Sequence, residues 1–277
     1  LAQYGHSGAL ILPYVKKLNI PLIVHFHGMD ANHSWYLERY MSAYKAMFSY
    51  AKNIISVSKV MHNQLLSYGA PKEKTILNPY GARLYFFDIQ PKYDDLFISV
   101  SRFADTKAPY LTIMAFAEVV KYHNKARLIC FGDGILREAC INLTKSLGIE
   151  GYVNFAGAVK HTEIIKKMPR ACCFIQHSIT TSTGEMEGTP NTILEAQASS
   201  LPVVSTRHAG ISQAVLHEKT GFLVDELDYN KMAEYMLLLI KDKALCKQMG
   251  EAGRAYMKSN YSFDHYIETI QRHIDTN

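Results

Sequence analysis

The chain has 277 residues, of which 48% are apolar and 20% are charged, and its formal net charge is +5. This length and composition are typical of a globular protein with one large α/β domain or two smaller ones. No run of 18 apolar residues occurs, which excludes a membrane-spanning helix, and the basic residues form no concentrated patch for nucleic acid.

The positive charge lies mainly in the first third of the chain. Residues 1–95 contain ten lysines and arginines against six acids. A basic surface of this kind favours contact with an anionic acceptor or with the inner face of the cytoplasmic membrane. An ordinary solvated face has the same composition, so both interpretations stay open.

The cysteines predict a reduced, cytoplasmic protein. Their number is odd, no two are spaced as a CxxC pair, and three lie in apolar strand-like runs. The sequence also lacks an HEXXH motif and any cluster of carboxylates and histidines with metal-ligand spacing, so no metal is expected. The residues expected to be buried thiols are Cys130, Cys140, Cys172, Cys173 and Cys246.

Residues 1–90 predict a β-α-β-α-β unit that follows a first helix. Three strands are too few for a complete Rossmann-like domain, and the chain begins with Leu1 rather than Met. We therefore expect an incomplete N-terminal domain and a longer natural N-terminus. The predicted helices cover 8–18, 33–52 and 59–68, and the predicted strands cover 20–26, 53–58 and 75–77.

Residues 91–260 predict a second domain, after a polar linker that carries Pro91. Six alternations of strand and helix indicate a doubly wound parallel sheet. Residues 261–277 contain a last helix, which we expect to pack back toward the first domain. The predicted fold class is α/β, with two Rossmann-like domains facing a cleft. The predicted strands of the second domain cover 96–100, 127–131, 153–155, 171–175, 201–204 and 220–224.

The most informative stretch covers residues 185–204, EMEGTPNTILEAQASSLPVV. Thr189 and Pro190 predict an N-cap and a first-turn proline, so a loop leads into a short helix and then a buried strand. Glu187 lies just before this helix, and Glu195 lies about a turn and a half inside it. A helix N-terminus suits a phosphate, and two nearby carboxylates suit hydroxyl groups such as those of a sugar.

Two cations and several histidines follow predicted strands. Arg102 and Lys107 lie in the loop after the first strand of the second domain, where they either clamp a diphosphate or are two surface cations. His27 ends a strand of the first domain, and open α/β sheets place functional groups at such ends. Gly132-Asp-Gly lacks the third glycine of a dinucleotide fingerprint, so we interpret it as a tight turn. Weaker pocket candidates are His25, His177 and His208.

Together these motifs resemble the retaining glycosyltransferases of family 4, which have the GT-B fold. The resemblance covers nearly the whole chain and is closest in character to enzymes of bacterial exopolysaccharide, capsule or lipopolysaccharide synthesis. Its most specific part is the paired-glutamate motif from Glu187 to Ala196. The other matching segments are Val100–Lys107, His25–Asp30, Ser56–Ser58, Asn78–Gly81, Gly132–Gly134 and Thr220–Val224.

The resemblance implies transfer of a sugar from a UDP- or GDP-sugar to a glycan or lipid-linked acceptor, with retention and without a cofactor. The second domain would bind the donor and the first the acceptor. Arg102 and Lys107 would neutralise the diphosphate as the glycosidic bond breaks. Glu187 would contact the donor sugar, Glu195 would hold the ribose, and His27 would face the acceptor or a sugar hydroxyl. Further donor contacts would come from Gly188, Thr189, Pro190 and Asn191.

The chain departs from the family pattern at three places. A glycine-rich loop near the N-terminus is absent, Ser200 stands where glycine is more frequent, and Gln213 stands where glutamate is common. No general base is assigned, because the leaving phosphate can take the acceptor proton. The alternatives are a non-catalytic nucleotide-sugar-binding remnant, or another GT-B enzyme such as a sugar-nucleotide epimerase or a phosphorylase.

Overall fold

The computed structural model describes residues 1–275, which form two parallel β-sheets with helices packed around them. The first sheet contains three strands at the predicted places and one more, β1, which the sequence does not predict because two residues cannot show an alternation. The strands lie in the order β1-β2-β3-β4, with the bounds Ala2–Gln3 (β1), Ile23–His25 (β2), Asn53–Ser56 (β3) and Thr75–Leu77 (β4).

The helices of the first domain bury one face each against this sheet. In the longest one, Tyr44, Met47 and Phe48 recur at a spacing that places them on one face, and they pack with Phe26 in the core. The helix bounds are Gly5–Lys17 (α1), Met29–Asn32 (α2), Ser34–Tyr50 (α3) and Lys59–Ser67 (α4).

The second sheet has six parallel strands and confirms the predicted doubly wound domain. Its strand order is β10-β9-β8-β5-β6-β7, so the strands run outward from β5 in both directions. Apolar side chains fill both faces, which explains why these strands are nearly continuous hydrophobic runs. The bounds are Leu96–Val100 (β5), Arg127–Phe131 (β6), Val153–Gly157 (β7), Cys173–Ile175 (β8), Val203–Thr206 (β9) and Gly221–Val224 (β10).

Eight helices complete the described chain. The five cysteines are free and buried, as predicted, and burial raises the pKa of their thiols. Within residues 1–275, none of the helices combines the length and the apolar character needed to cross a bilayer. The eight α-helices of this part of the chain have the bounds Pro109–Tyr122 (α5), Arg137–Ser146 (α6), His161–Lys167 (α7), Asn191–Ala198 (α8), Ile211–Ala214 (α9), Tyr229–Lys241 (α10), Lys243–Asn260 (α11) and Phe263–Asp275 (α12).

The chain passes between the two domains twice, and the two passages lie side by side. The backbone N–H of Ala82, in the first passage, donates to the carbonyl oxygen of Tyr261 in the second (2.8 Å), and that of Phe263 donates to Ala82 (3.3 Å). Beyond this point α12 contacts the first domain, where Asn78 Nδ2 donates to the carbonyl oxygen of Tyr266 (3.1 Å). The last two residues of the predicted C-terminal segment lie outside the described residues.

Candidate active site

The strand order of the second sheet opens a crevice at β5. The chain runs from β5 to β6 and β7 on one side, then returns to β8, β9 and β10 on the other. The loops that follow β5 and β8 therefore diverge, and open α/β sheets bind ligands at such a point. Arg102 and Lys107 lie on the loop after β5, and Glu187 lies on the loop after β8.

An ion pair joins these two loops. Lys107 Nζ lies 2.5 Å from Glu187 Oε1, and the two side chains are 13% and 12% exposed. Together with Arg102, Glu185 and Gly188 they line a cavity of about 270 Å³. The cavity is thus lined by two cations and two carboxylates, and the carboxylate of Glu187 is already paired with one of the cations. An anion that enters it would compete with Glu187 for the ammonium of Lys107.

The opposite wall of this cavity belongs to the first domain, where β2 ends. Asp30 is fully buried, and its carboxylate accepts hydrogen bonds from the backbone N–H groups of Gly5 (2.7 Å), His27 (3.1 Å) and Gly28 (2.9 Å). Three donors stabilise the buried carboxylate and hold the turn after β2 in one conformation. This turn directs His27 to the cavity.

Both ring nitrogens of His27 are engaged by neighbouring side chains. Nδ1 contacts the hydroxyl of Tyr80, and Nε2 lies 2.5 Å from Gln3 Oε1. Because an amide oxygen only accepts, Nε2 carries the proton and the Tyr80 hydroxyl donates to Nδ1. Burial lowers the pKa of His27, although Asp30 opposes this shift. His27 is therefore a neutral group held in a fixed orientation.

His25 packs against His27 from the core. Its ring centroid lies 4.2 Å from that of His27, and neither of its ring nitrogens has a hydrogen-bond partner among residues 1–275. Burial, and to a smaller extent the neighbouring His27, lowers the pKa of His25 to about 3. The ring therefore stays neutral and supports its neighbour by packing.

The segment before α8 contacts the first domain instead of capping its own helix. The prediction that Thr189 is the N-cap is wrong, because its hydroxyl donates to the carbonyl oxygen of Val57 (2.7 Å). Pro190 takes the cap position, and α8 begins at Asn191 without a side-chain cap. Thr189 thus makes a tertiary hydrogen bond in place of the local capping bond that its sequence position predicts.

Two further contacts bring the domains together at the same place. A Cβ atom on Gly188 would lie 2.5 Å from the carbonyl oxygen of His27, so only glycine allows this approach. Gln213, where the resemblance predicts glutamate, accepts a hydrogen bond through Oε1 from the backbone N–H of Lys59 at the start of α4 (3.0 Å). The site is thus bounded by both domains.

The structure separates Glu195 and Asn191 from Arg102, Lys107 and Glu187. Glu195 and Asn191 line a second cavity, of about 290 Å³. There Glu195 Oε2 lies 3.2 Å from His161 Nε2. Burial raises the pKa of Glu195, and the charge of His161 opposes the shift. The two cavities adjoin, because Tyr80 lines both.

A third cavity, of about 440 Å³, lies on the other side of the Arg102 loop, and its walls are largely apolar. Sequence reasoning missed this cavity, and it also missed Tyr80 and His161. A useful signal would have been the small and apolar residues that follow β7, because the end of β7 lies at the same edge of the sheet as Arg102. The lining includes Phe131, Ala158, Val159, Ile164 and Thr192.

Two protein-family models match the chain. Residues 85–256 match the model described as Glycosyl transferases group 1. Residues 2–83 match the model described as Glycosyltransferase Family 4. The two matches divide the chain at the first passage between the domains.

Curated relatives extend beyond this chain. The amylovoran biosynthesis glycosyltransferase AmsK of Erwinia amylovora is 27% identical over 269 residues, which cover 95% of this chain and 66% of the relative. The putative colanic acid biosynthesis glycosyltransferase WcaL of Escherichia coli (strain K12) is 28% identical over 240 residues, which cover 84% of this chain and 59% of the relative. The chain therefore spans about three fifths to two thirds of their length.

Solved structures share the fold across almost the whole chain. The Anabaena protein Alr3699/HepE in complex with UDP and glucose superposes with a TM-score of 0.85 at 17% identity, covering 98% of this chain and 76% of that one. Sucrose-phosphate synthase from Thermosynechococcus elongatus gives a TM-score of 0.82 at 19% identity, covering 97% and 71%. These neighbours confirm the GT-B-like pair of Rossmann-like domains. Because the group 1 model covers more than half of the sequence, the chain belongs to the family of glycosyl transferases group 1.

Proposed function

We propose that the protein moves a sugar from a UDP- or GDP-sugar to a glycan or lipid-linked acceptor, with retention at the anomeric carbon. The observation that carries this proposal is the first cavity. Two cations and a carboxylate from the second domain meet a fixed histidine from the first domain there, namely Arg102, Lys107, Glu187 and His27. The match to glycosyltransferase models along nearly the whole chain supports the same reaction.

Arg102 and Lys107 are proposed to hold the diphosphate. Negative charge grows on the leaving diphosphate as the glycosidic bond breaks, so fixed cations stabilise the transition state more than the ground state. Arg offers a planar fork of donors and Lys a compact charge, which together suit several phosphate oxygens. Their position on the loop after β5, where the strand order reverses, supports this role.

The two other cavities are proposed to hold the nucleoside. Glu195 would accept hydrogen bonds from the ribose hydroxyls, for which its carboxylate must exchange His161 for the ligand. The apolar third cavity, with Ala158 and Val159, would take the flat face of the base. Arg102 lines both the first and the third cavity, which supports a contact with the phosphates that would connect the sugar and the nucleoside.

Glu187 and His27 are proposed to act at the transferred sugar. The contact with Lys107 holds the carboxylate of Glu187 beside the place where the sugar would lie. His27 has both ring nitrogens engaged, which favours a positioning role over that of a base. With no base assigned, the leaving phosphate would take the proton of the acceptor hydroxyl. The backbone N–H groups of Gly188, Thr189 and Asn191, with Pro190 between them, would add hydrogen-bond donors to the nucleotide-sugar site.

A role in cell-surface polysaccharide synthesis is proposed from the named functions of the amylovoran and colanic acid relatives. The first domain adds a surface for the membrane at which such acceptors lie. Leu10 and Tyr14 on α1, and Leu18 directly after it, are exposed apolar side chains, and Lys16 and Lys17 lie beside them. Apolar side chains flanked by cations suit peripheral binding to an anionic inner membrane face.

Titration with UDP and with GDP tests the diphosphate clamp. Arg102→Ala and Lys107→Ala should each weaken binding by about tenfold, the loss of roughly one charge-assisted hydrogen bond. Lys121→Ala is the matched control, because Lys121 is an exposed lysine of the same domain, paired with Glu118 on the surface of α5. Affinities equal to wild type in both site variants would refute the clamp.

Mass spectrometry of reactions with UDP- and GDP-sugars and a lipid-linked acceptor tests transfer itself. A product whose mass has increased by one sugar supports the transferase. Tight UDP or GDP binding with no product from any donor would instead favour the non-catalytic alternative.

A further inference from the structure

A buried histidine outside the cavity holds the peptide group of Glu187. His208, which follows β9, is 2% exposed and does not line the first cavity. Its Nε2 accepts a hydrogen bond from the backbone N–H of Glu187 (3.0 Å), and its Nδ1 lies 2.6 Å from Glu226 Oε1. These two contacts connect the strand ends of β9 and β10 to the loop that carries Glu187.

The partners fix which nitrogen of His208 carries the proton. A backbone N–H can only donate, so Nε2 must be the unprotonated nitrogen and Nδ1–H must donate to Glu226. Burial opposes ionisation of Glu226, but hydrogen bonds from Thr180 and His208 outweigh it and lower the pKa of this carboxyl. An ionised Glu226 is a strong acceptor for Nδ1–H, which keeps the other nitrogen available to Glu187.

The contacts of His208 and Glu226 attach the loop from residue 176 to residue 187 at two places, beside other hydrogen bonds such as that from the Ser178 N–H to Thr206 Oγ1. The loop contains no helix or strand, and so no regular ladder of backbone hydrogen bonds holds it. Glu226 accepts from the backbone N–H of Thr180 (2.8 Å) and from its hydroxyl (3.2 Å). The same His208–Glu226 pair thus binds the loop near its start and at its end.

We propose that His208 is a positioning residue for Glu187, with Glu226 selecting the required tautomer. The inference rests on the proposed function in one respect, which is that Glu187 acts at the donor sugar. His208 acts on the backbone of Glu187 rather than on the ligand. Moving that backbone would shift the carboxylate away from Lys107 and from the reacting sugar.

Two amide substitutions separate the two hydrogen bonds of His208. In His208→Gln the side-chain oxygen reaches the place of Nε2 and can still accept from the Glu187 N–H. In His208→Asn the shorter amide reaches only the place of Nδ1, so it can pair with Glu226 but leaves the Glu187 N–H without an acceptor. A role limited to pairing with Glu226 predicts the opposite order, since asparagine preserves that pair.

Hydrogen exchange, measured by mass spectrometry on the full chain, detects whether the Glu187 N–H is hydrogen-bonded and does not depend on catalytic activity. In His208→Asn, the peptide covering 184–190 should exchange roughly tenfold faster than in wild type, as expected when one buried hydrogen bond is lost. In His208→Gln its rate should stay within about twofold of wild type. The peptide covering α5 should be unchanged in both variants, which controls for general unfolding. Equal exchange in the two variants, or faster exchange in His208→Gln, overturns the proposal.

Turnover with UDP-glucose and GDP-mannose as probes links the position of Glu187 to the reaction. We expect kcat/KM to fall about tenfold in His208→Asn and to recover in His208→Gln. If wild type transfers no sugar, the proposed function fails, whereas the exchange rates still decide whether His208 holds the Glu187 peptide. If transfer occurs and both variants match wild type, His208 does not position Glu187 for the reaction.

Discussion

Replacing Glu187 with glutamine is expected to strengthen the binding of nucleoside diphosphates while it weakens sugar transfer. Lys107 Nζ lies 2.5 Å from Glu187 Oε1, so an incoming phosphate and this carboxylate compete for one ammonium. A hydrogen bond to a charged group contributes about 1.5–3 kcal/mol and a neutral one about 0.5–1.5 kcal/mol. Removing the charge should therefore release about 1 kcal/mol for the phosphate, or about fivefold in Kd.

Transfer should change in the other direction, because the proposed contact with the reacting sugar is lost. Removal of one preorganised group at a developing charge lowers kcat by about 100-fold or more. Calorimetric titration with UDP and GDP gives the affinities, and product formation gives the rate. Glu185→Gln is the matched control, since Glu185 lines the same cavity but is not the partner of Lys107. If Glu187→Gln binds the diphosphates no better than wild type, the competition for Lys107 is refuted.

Three other perturbations test separate parts of the structure. Gly188→Ala places a Cβ 2.5 Å from the carbonyl oxygen of His27 and should slow transfer at least about tenfold with an unchanged circular dichroism spectrum; a wild-type rate contradicts this. Burial raises the pKa of Glu195, so this carboxylate becomes protonated at a higher pH than an exposed glutamate does, and UDP affinity should fall at that pH as the solution is acidified. Glu195→Gln should remove this pH dependence, and an unaltered profile in the variant contradicts the prediction. Burial lowers the pKa of His25 from 6.5 to about 3. Below the unfolded pKa the folded protein binds fewer protons than the unfolded chain, so the free energy of unfolding decreases as the pH falls. At about pH 5, urea unfolding should show that this free energy is lower by about 2 kcal/mol than at neutral pH, and His25→Phe should abolish the decrease. Equal decreases in both proteins would contradict the prediction.

Features that depend on local pattern were predictable from the sequence. The six apolar runs of the second domain give six strands, because a strand buried on both faces must be apolar throughout. Arg102, Lys107 and Glu187 each follow such a run. The carboxyl ends of parallel strands meet at one edge, so their gathering at that edge follows from the topology. The strand β1 lies below the length at which an alternation can be recognised.

Features that depend on partners distant in the chain were not predictable. The local spacing around Thr189 predicts a helix cap, yet its hydroxyl bonds to Val57 in the other domain. His161 and Glu195 are 34 residues apart, and no sequence motif predicts their contact. The role of His208 depends on Glu226, which is 18 residues further along the chain, and on a backbone amide that no side-chain pattern reveals. Each of these contacts exists only once the sheet and the domain interface have formed.

The paired passages of the chain between the domains restrict how those domains can move. A single connecting segment would let one domain swivel freely about it. Here the segment at Ala82 and the segment at Tyr261 are hydrogen-bonded side by side, and a Cβ on Gly81 would lie 2.3 Å from Ser262. Two passages bonded to each other restrain rotation of one domain about the other more than a single passage would.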